Sequence, residues 1–105
     1  MRTGVKEMSN LRSLAKGREC QIRIPGICNH NAETTVGCHY RLAGISGVGH
    51  KAPDLFIAWG CSDCHRAVDM QYSANWTVDD LRIMHLEGVI RTQFILLNEG
   101  HINVP

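Results

Sequence analysis

The sequence has no long hydrophobic run, few aromatic residues and almost no net charge. Of its 105 residues, 6% are Phe, Trp or Tyr, and 11 Lys plus Arg stand against 10 Asp plus Glu. No segment approaches the roughly 20 consecutive apolar residues of a membrane-spanning helix. Residues 1–20 also lack the apolar centre of a secretory signal peptide. The sequence therefore predicts a cytoplasmic protein with no membrane contact.

Charge is unevenly distributed along the chain. Residues 1–41 carry 7 basic and 3 acidic side chains, whereas residues 42–105 carry 4 basic and 7 acidic ones. A basic first part favours contact with phosphates, although a solvated surface of uneven charge explains the same counts. Length and a hydrophobic content of 44% indicate one folded domain. We expect a basic arm or short helix over residues 1–17 and a single domain over residues 18–105.

Five cysteines are many for a chain of this length. Disulfides are rare in a reducing cytoplasm, so grouped cysteines there are more often metal ligands. Cys61 and Cys64 have the two-residue gap of a zinc knuckle, and Cys20 and Cys28 flank a Pro-Gly pair that could fold them together. The sequence predicts a structural Zn²⁺ site with four thiolate ligands. Four buried cysteines without metal are the alternative.

Local patterns predict an α+β fold. Residues 20–28 alternate like a strand that leads into a turn, and residues 34–42 have the composition of a second strand. We expect a short helix over residues 55–59 and another from residue 62 to about residue 70. A long C-terminal helix is predicted over residues 77–100, with a capping box at its start and a glycine at its end.

His39, His65 and Asp69 form a second candidate group. His65 and Asp69 are four residues apart on a predicted helix, so they share one face and could bind one divalent cation. A pair on the helix surface is the alternative. His39 follows Cys38 on a predicted strand, and adjacent strand residues point to opposite faces. We therefore expect Cys38 to face the core and disfavour a nucleophilic Cys38 activated by His39.

The order of the cysteines and histidines along the chain resembles the order found in the HNH superfamily of nucleases. In particular, the sequence is similar to small nuclease-like proteins encoded in lambdoid prophages, which are considered distant relatives of phage recombination nucleases. The resemblance implies a β-hairpin and a helix around a metal, the ββα-metal core, often braced by a zinc cluster. The stretches that carry it are Arg18-Glu-Cys-Gln-Ile-Arg-Ile-Pro-Gly-Ile-Cys28, His39-Tyr-Arg-Leu42, Lys51-Ala-Pro-Asp54 and Cys61-Ser-Asp-Cys-His65.

The resemblance implies a role for each matching residue. The four cysteines match structural zinc ligands, His39 matches the general base, and His65 matches the helix histidine that holds a catalytic Mg²⁺ or Mn²⁺. Asp69 falls one helical turn after His65, where the family often has another polar residue. The sequence departs from the family at Cys38, where many members have a metal-binding Asp or His. Asp54 lies near the position of the family's middle asparagine.

The expected function is metal-dependent endonucleolytic cleavage of DNA by a phage-derived protein that acts in recombination or processing. Arg41 shares a strand face with His39 and is a candidate phosphate clamp or an ordinary surface arginine. His50 and Lys51, in a glycine-rich loop, are candidate contacts to the DNA backbone, or solvated loop residues. A homodimer would suit a branched DNA substrate.

Three alternatives stay open at this stage. One is a zinc-stabilised nucleic-acid-binding module without catalysis, which would use the same cysteines and the same basic segment. The second is a small protein-interaction adaptor that presents the long C-terminal helix. The third is a prophage product that folds but no longer cuts, which would fit the absence of an acidic residue before His39.

Overall fold

The structure, a computed structural model, describes residues 11–45 and 53–105. They form a small α+β domain, as the sequence predicts. No helix in these two ranges is long and apolar enough to cross a membrane. In chain order the elements are a 3₁₀ helix Leu11–Ala15, a 3₁₀ helix Ala32–Thr34, strand β1 Val36–His39, a 3₁₀ helix Asp54–Phe56, strand β2 Ile57–Gly60, helix α1 Ser62–Met70 and helix α2 Val78–Asn98.

The two strands form an antiparallel hairpin that the rest of the chain encloses. Val36 of β1 lies opposite Gly60 of β2, and His39 lies opposite Ile57. All four residues of β2 are buried. Glycines permit this enclosure, because a Cβ at Gly60 would lie 2.6 Å from Cδ1 of Ile22. A Cβ at Gly88 of α2 would lie 3.2 Å from that of Ala58.

Local capping groups set the ends of both α helices. Cys61 caps α1 by accepting a hydrogen bond from the backbone of Cys64, and the left-handed residue Gln71 ends this helix. The predicted capping box of α2 is present. Thr77 Oγ1 accepts from Asp80 N at 3.0 Å, and the Asp80 carboxylate accepts from Thr77 N at 3.1 Å. The predicted bounds of α1 and the predicted start of α2 are therefore confirmed.

One face of α2 supplies much of the core. It contacts β2 directly, since Thr92 Oγ1 accepts from Trp59 N at 3.0 Å and donates to the carbonyl of Gly88 at 2.8 Å. Leu96 packs with Trp59 and with Leu11 of the first 3₁₀ helix. The buried residues of α2 are Leu81, His85, Gly88, Val89, Thr92 and Leu96.

Two predicted elements are wrong. Residues 20–28 form turns instead of a strand, because Arg23 has a φ of 56° and the Ile24 carbonyl accepts from both Ile27 N and Cys28 N. The sequence predicts a helix over residues 55–59, but most of these residues belong to β2. That apolar segment suits either conformation locally, and pairing with β1 satisfies its buried backbone groups. The second predicted strand, residues 34–42, is shortened to β1.

The candidate metal cluster and cavity

The four cysteines of the predicted zinc site lie together. The Sγ atoms of Cys20, Cys28, Cys61 and Cys64 are all within 4.8 Å of one another, and those of Cys28 and Cys61 are 3.9 Å apart. A tetrahedral zinc with Zn–S bonds of about 2.3 Å places its sulfurs about 3.8 Å apart. The cluster could therefore hold a metal ion, and its donor set is consistent with structural zinc. Zinc itself stays a prediction.

Backbone amides also point at the sulfurs, which supports thiolate ligands. Hydrogen bonds from N–H groups to cysteine sulfur favour the deprotonated form and orient metal ligands. Because Cys61 also caps α1, its sulfur lies at the positive end of the helix dipole. The contacts, all 3.4 or 3.5 Å, run from Arg23 N to Cys20 Sγ, from Ile24 N to Cys64 Sγ, and from Asn29 N and Cys64 N to Cys61 Sγ.

The thiols of the cluster influence one another strongly. A hydrogen bond between Cys64 and Cys20 lowers the pKa of Cys20 to about 4, and the same contact raises the pKa of Cys64. Burial is the main cause that raises the pKa of Cys28 to about 11. Four adjacent thiolates repel one another, and a bound cation offsets that repulsion. The proximity and burial of the cluster therefore fit a metal ion better than four independent thiols.

Cys38 lies outside this cluster. It is buried at 1% exposure, and burial raises its pKa to about 12. A thiol with such a pKa is almost entirely protonated at neutral pH, and the thiolate is the reactive form. The structure therefore places Cys38 in the core, as its position on the strand predicts. It argues against a nucleophilic cysteine at this position.

A cavity of about 290 Å³ lies between β1, α1 and α2. It brings together side chains that are far apart in the chain, and their types match the candidate catalytic group from the sequence. His39 and Arg41 come from β1 and the residues after it, and His65 and Asp69 come from α1. His85 of α2 adds a third histidine. The structure thus places the four predicted residues around one opening.

The imidazole of His39 is held by a carboxylate. Its Nε2 lies 2.8 Å from Asp54 Oδ1, and Arg12 Nε lies 3.4 Å from the other carboxylate oxygen of Asp54. Register explains the contact: His39 lies opposite Ile57 at the start of β2, and Asp54 precedes that residue by one 3₁₀ turn. With Nε2 donating to the carboxylate, Nδ1 is the nitrogen that can accept a proton.

Asp69 and Arg41 form an ion pair at the edge of the cavity. Their charged groups are 3.3 Å apart, and the two side chains are 51% and 74% exposed. Exposed pairs of this kind contribute little to stability. Both charged groups therefore stay accessible to solvent at the edge of the cavity.

His85 is a cavity residue that the sequence did not single out. Its Nε2 donates to the carbonyl of Cys38 at 3.0 Å, and its ring meets Tyr40 edge to face at 5.1 Å. Burial lowers its pKa, and the nearby positive charges of Arg41 and Arg82 act in the same direction. The only sequence signal is that His85 occupies an apolar position in the helical repeat of α2.

The cavity does not form a second tight cluster of ligands. Among the residues that the structure describes, the four cysteines are the one group of three or more metal-binding side chains with ligand atoms within 4.8 Å. His39, His65 and Asp69 therefore do not converge on one point. His50 and Lys51, the predicted contacts to DNA, lie outside the described residues.

These features define a class of protein, a small α+β domain with a four-cysteine cluster that could hold a metal ion and a cavity lined by histidines. Within that class, the chain belongs to the family described as "Putative nuclease YbcO", which matches residues 9–101. The resemblance to phage-encoded nucleases is thereby confirmed at the level of the family. Membership of the HNH superfamily stays a prediction.

The similar proteins include two with this name and one of known structure. The chain is 47% identical over 98 residues to "Putative nuclease YbcO" of Escherichia coli (strain K12) and to "Putative nuclease ybcO" of Enterobacteria phage 82. Each alignment covers 90% of this chain and 98% of the relative. The solved "Structure of a putative bacteriophage protein from Escherichia coli str. K-12 substr. MG1655" is 43% identical, with a TM-score of 0.73, and the match covers 87% of this chain and 100% of that one.

Proposed function

We propose that this protein is a metal-dependent endonuclease that hydrolyses phosphodiester bonds of DNA in the cavity between β1, α1 and α2. One observation carries the proposal: His39, Arg41, His65 and Asp69, which come from separate segments, line the same cavity. The family name supports hydrolysis of a nucleic acid. The resemblance to HNH nucleases supports DNA as the substrate and a divalent cation as the cofactor.

His39 is the general base in this proposal. Asp54 accepts a hydrogen bond from Nε2, which leaves Nδ1 to take a proton from the attacking water. An imidazole suits this task, because histidine is the side chain that most often transfers a proton in general acid–base catalysis. Arg12 holds the second oxygen of the Asp54 carboxylate and so acts as a positioning residue.

His65 and Asp69 would hold the catalytic cation. Mg²⁺ in enzymes keeps several waters and takes only one or two carboxylates from the protein, so the small number of donors at this cavity fits it. Once bound, the ion would stabilise the negative charge that develops on the leaving 3′ oxygen. The products implied by the resemblance are a 5′ phosphate and a 3′ hydroxyl.

Arg41 would bind a phosphate oxygen of the substrate. Its guanidinium already lies at the rim of the cavity, paired with the Asp69 carboxylate. Because that pair is exposed, exchanging it for a phosphate costs little, and arginine can donate two parallel hydrogen bonds to a phosphate.

The cysteine cluster would hold a structural Zn²⁺ that supports the active site. Cys64 is a member of the cluster and directly precedes His65. The first turn of α1, and with it the imidazole of His65, is therefore anchored by the metal ligands. The two sites differ in their ligands, because four thiolates suit zinc whereas the Asp69 carboxylate suits Mg²⁺ or Mn²⁺.

A cleavage assay on plasmid and branched DNA tests the proposal. The zinc-loaded wild type is compared with His39→Ala and with His101→Ala, each with and without added Mg²⁺ or Mn²⁺. We expect cutting only with added metal, a loss of about 100-fold or more in His39→Ala, and no loss in His101→Ala. His101 is a matched control because it pairs with Glu99 and is absent from the cavity lining. Circular dichroism and zinc content establish that each variant is folded.

A second comparison separates the metal ligand from the base. His65→Ala should raise the Mn²⁺ concentration that half-activates cleavage, whereas His39→Ala should lower the rate at saturating metal. If the folded wild type binds these DNAs but never cuts them with either metal, the nuclease proposal is wrong. A zinc-stabilised nucleic-acid-binding module then becomes the better interpretation.

A further inference from the structure

Helix α2 is apolar on two opposite faces. One face packs into the core. The other carries five large apolar side chains, which we call the outer stripe. At about 100° per residue, the stripe falls within an arc of about 80°. Its residues and their exposed fractions are Ile83 at 56%, Leu86 at 44%, Ile90 at 59%, Phe94 at 62% and Leu97 at 43%.

The outer stripe is large for a surface that faces water. Large apolar residues have total areas of about 200 Å², so half-exposure of five of them leaves about 500 Å² uncovered. That is near the upper end of the largest apolar patch on a typical monomer. Covering the same patch on two molecules would bury about 1,000 Å², which is the size at which a specific interface becomes plausible.

The spacing of the outer stripe is symmetric about Ile90. Ile83 and Leu86 precede Ile90 by seven and four residues, and Phe94 and Leu97 follow it by four and seven. If a second copy of α2 lies antiparallel with its Ile90 at the same level, each apolar side chain meets another apolar one. Such self-complementarity is what a two-fold dimer requires of its surface, whereas a different partner would not require it.

We propose that two copies of this chain associate through the outer stripes of their α2 helices, antiparallel, with the two-fold axis at Ile90. In this arrangement Leu86 of one copy lies level with Phe94 of the other, and Ile83 with Leu97. The proposal is independent of catalysis.

The molar mass in solution tests the interface. The wild type should sediment at twice the 11.7 kDa of one chain. Ile90→Lys places two ammonium groups against each other on the axis and should weaken the dimer by about 100-fold or more. Met70→Lys is the matched control, because Met70 is 63% exposed outside α2, and this variant should remain dimeric. Far-UV circular dichroism checks that both variants are folded.

Cross-linking tests the orientation of the two helices. With a short bifunctional maleimide, Ile90→Cys should form a covalent dimer, because the two side chains meet on the axis. Ile83→Cys should not form one. In an antiparallel pair centred on Ile90, position 83 of one copy and position 83 of the other are separated by the length of 14 helical residues, about 21 Å. The wild type controls for its own cysteines. A wild type that is monomeric at hundreds of micromolar overturns the proposal. The outer stripe would then be covered by something other than a second copy, either residues 1–10 or a different protein. Equal cross-linking at both positions overturns the antiparallel arrangement.

Discussion

At the scale of single residues, the cavity depends on pairings between distant parts of the chain. His39 is held by Asp54, 15 residues later, and Arg41 by Asp69. Each residue type is visible in the sequence, which marks His39, Arg41 and Asp69 as candidates. Asp54 also stands out in the sequence, but its contact with His39 does not, because that contact depends on the register of β1 against β2.

Burial of His85 leads to a prediction for how the stability of the protein depends on pH. Burial lowers its pKa below the ordinary 6.5, so in acid the unfolded chain takes up this proton before the folded protein does. The free energy of unfolding should therefore fall as the pH drops from about 6.5 toward the folded pKa, by at most about 1.4 kcal/mol per pH unit. Replacing His85 with Gln, which can still donate to the Cys38 carbonyl, should remove this part of the slope.

The measurement is urea unfolding between pH 8 and pH 5 with zinc present. The difference between wild type and His85→Gln isolates this histidine, because acid weakens the cysteine cluster equally in both. Among the residues that the structure describes, the Cys38 carbonyl favours the protonated form of His85, and Arg41, His65 and Arg82 oppose it. His101→Gln serves as the control. A difference that stays constant across this pH range would contradict the prediction.

At the scale of elements, both α helices and the position of β1 were predictable from the sequence, and β2 was not. The capping groups of α2, Thr77 and Asp80, are three residues apart in the sequence, so the signal and the structure it forms are both local. The segment that became β2 has no such signal. It is a short apolar run whose conformation was decided by hydrogen bonds to β1 and by burial against α2.

The capping box of α2 gives a prediction at this scale. Thr77→Ala removes the acceptor for the Asp80 amide and should lower the free energy of unfolding by about 1 kcal/mol. Asp79→Ala is the control, because Asp79 is exposed in the same turn and takes no part in the box. Thermal or urea unfolding measures both variants. The double variant Thr77→Ala with Asp80→Ala should lower the free energy of unfolding by less than the sum of the two single changes, because the two hydrogen bonds are reciprocal. Equal losses in Thr77→Ala and Asp79→Ala would show that the box is not stabilising.

At the scale of the whole molecule, the cysteine cluster joins parts of the chain that otherwise share little. Cys20 and Cys28 belong to the irregular segment before β1, and Cys61 and Cys64 belong to the start of α1. A domain of this size buries a modest apolar core, and a metal is a common supplement in small domains. The turns of residues 20–28, which replace the predicted strand, are the conformation that brings the first pair of sulfurs to the second.

We therefore predict that zinc bound to this cluster stabilises the whole fold and that its removal destabilises the protein. A strong chelator is expected to lower the thermal midpoint of the wild type markedly and to release about one Zn²⁺ per chain. Cys64→Ser should purify without a full complement of zinc. Cys38→Ala should keep it, because the buried sulfur of Cys38 lies outside the cluster. Metal analysis and thermal unfolding provide the two measurements. A metal-free protein that melts at the same temperature as the loaded one would contradict a structural role for zinc.

The sequence by itself determined the features that depend on neighbouring residues or on spacing in the chain. These are the helix boundaries, the knuckle spacing of Cys61 and Cys64, the opposite faces of Cys38 and His39, and the resemblance to phage nucleases. Only the tertiary structure decided the identity of β2, the turns of residues 20–28, the contact of Asp54 with His39 and the position of His85 in the cavity. The physical reason is range: capping and side-chain periodicity act over a few residues, whereas strand pairing and burial join residues that are near only after the chain has folded.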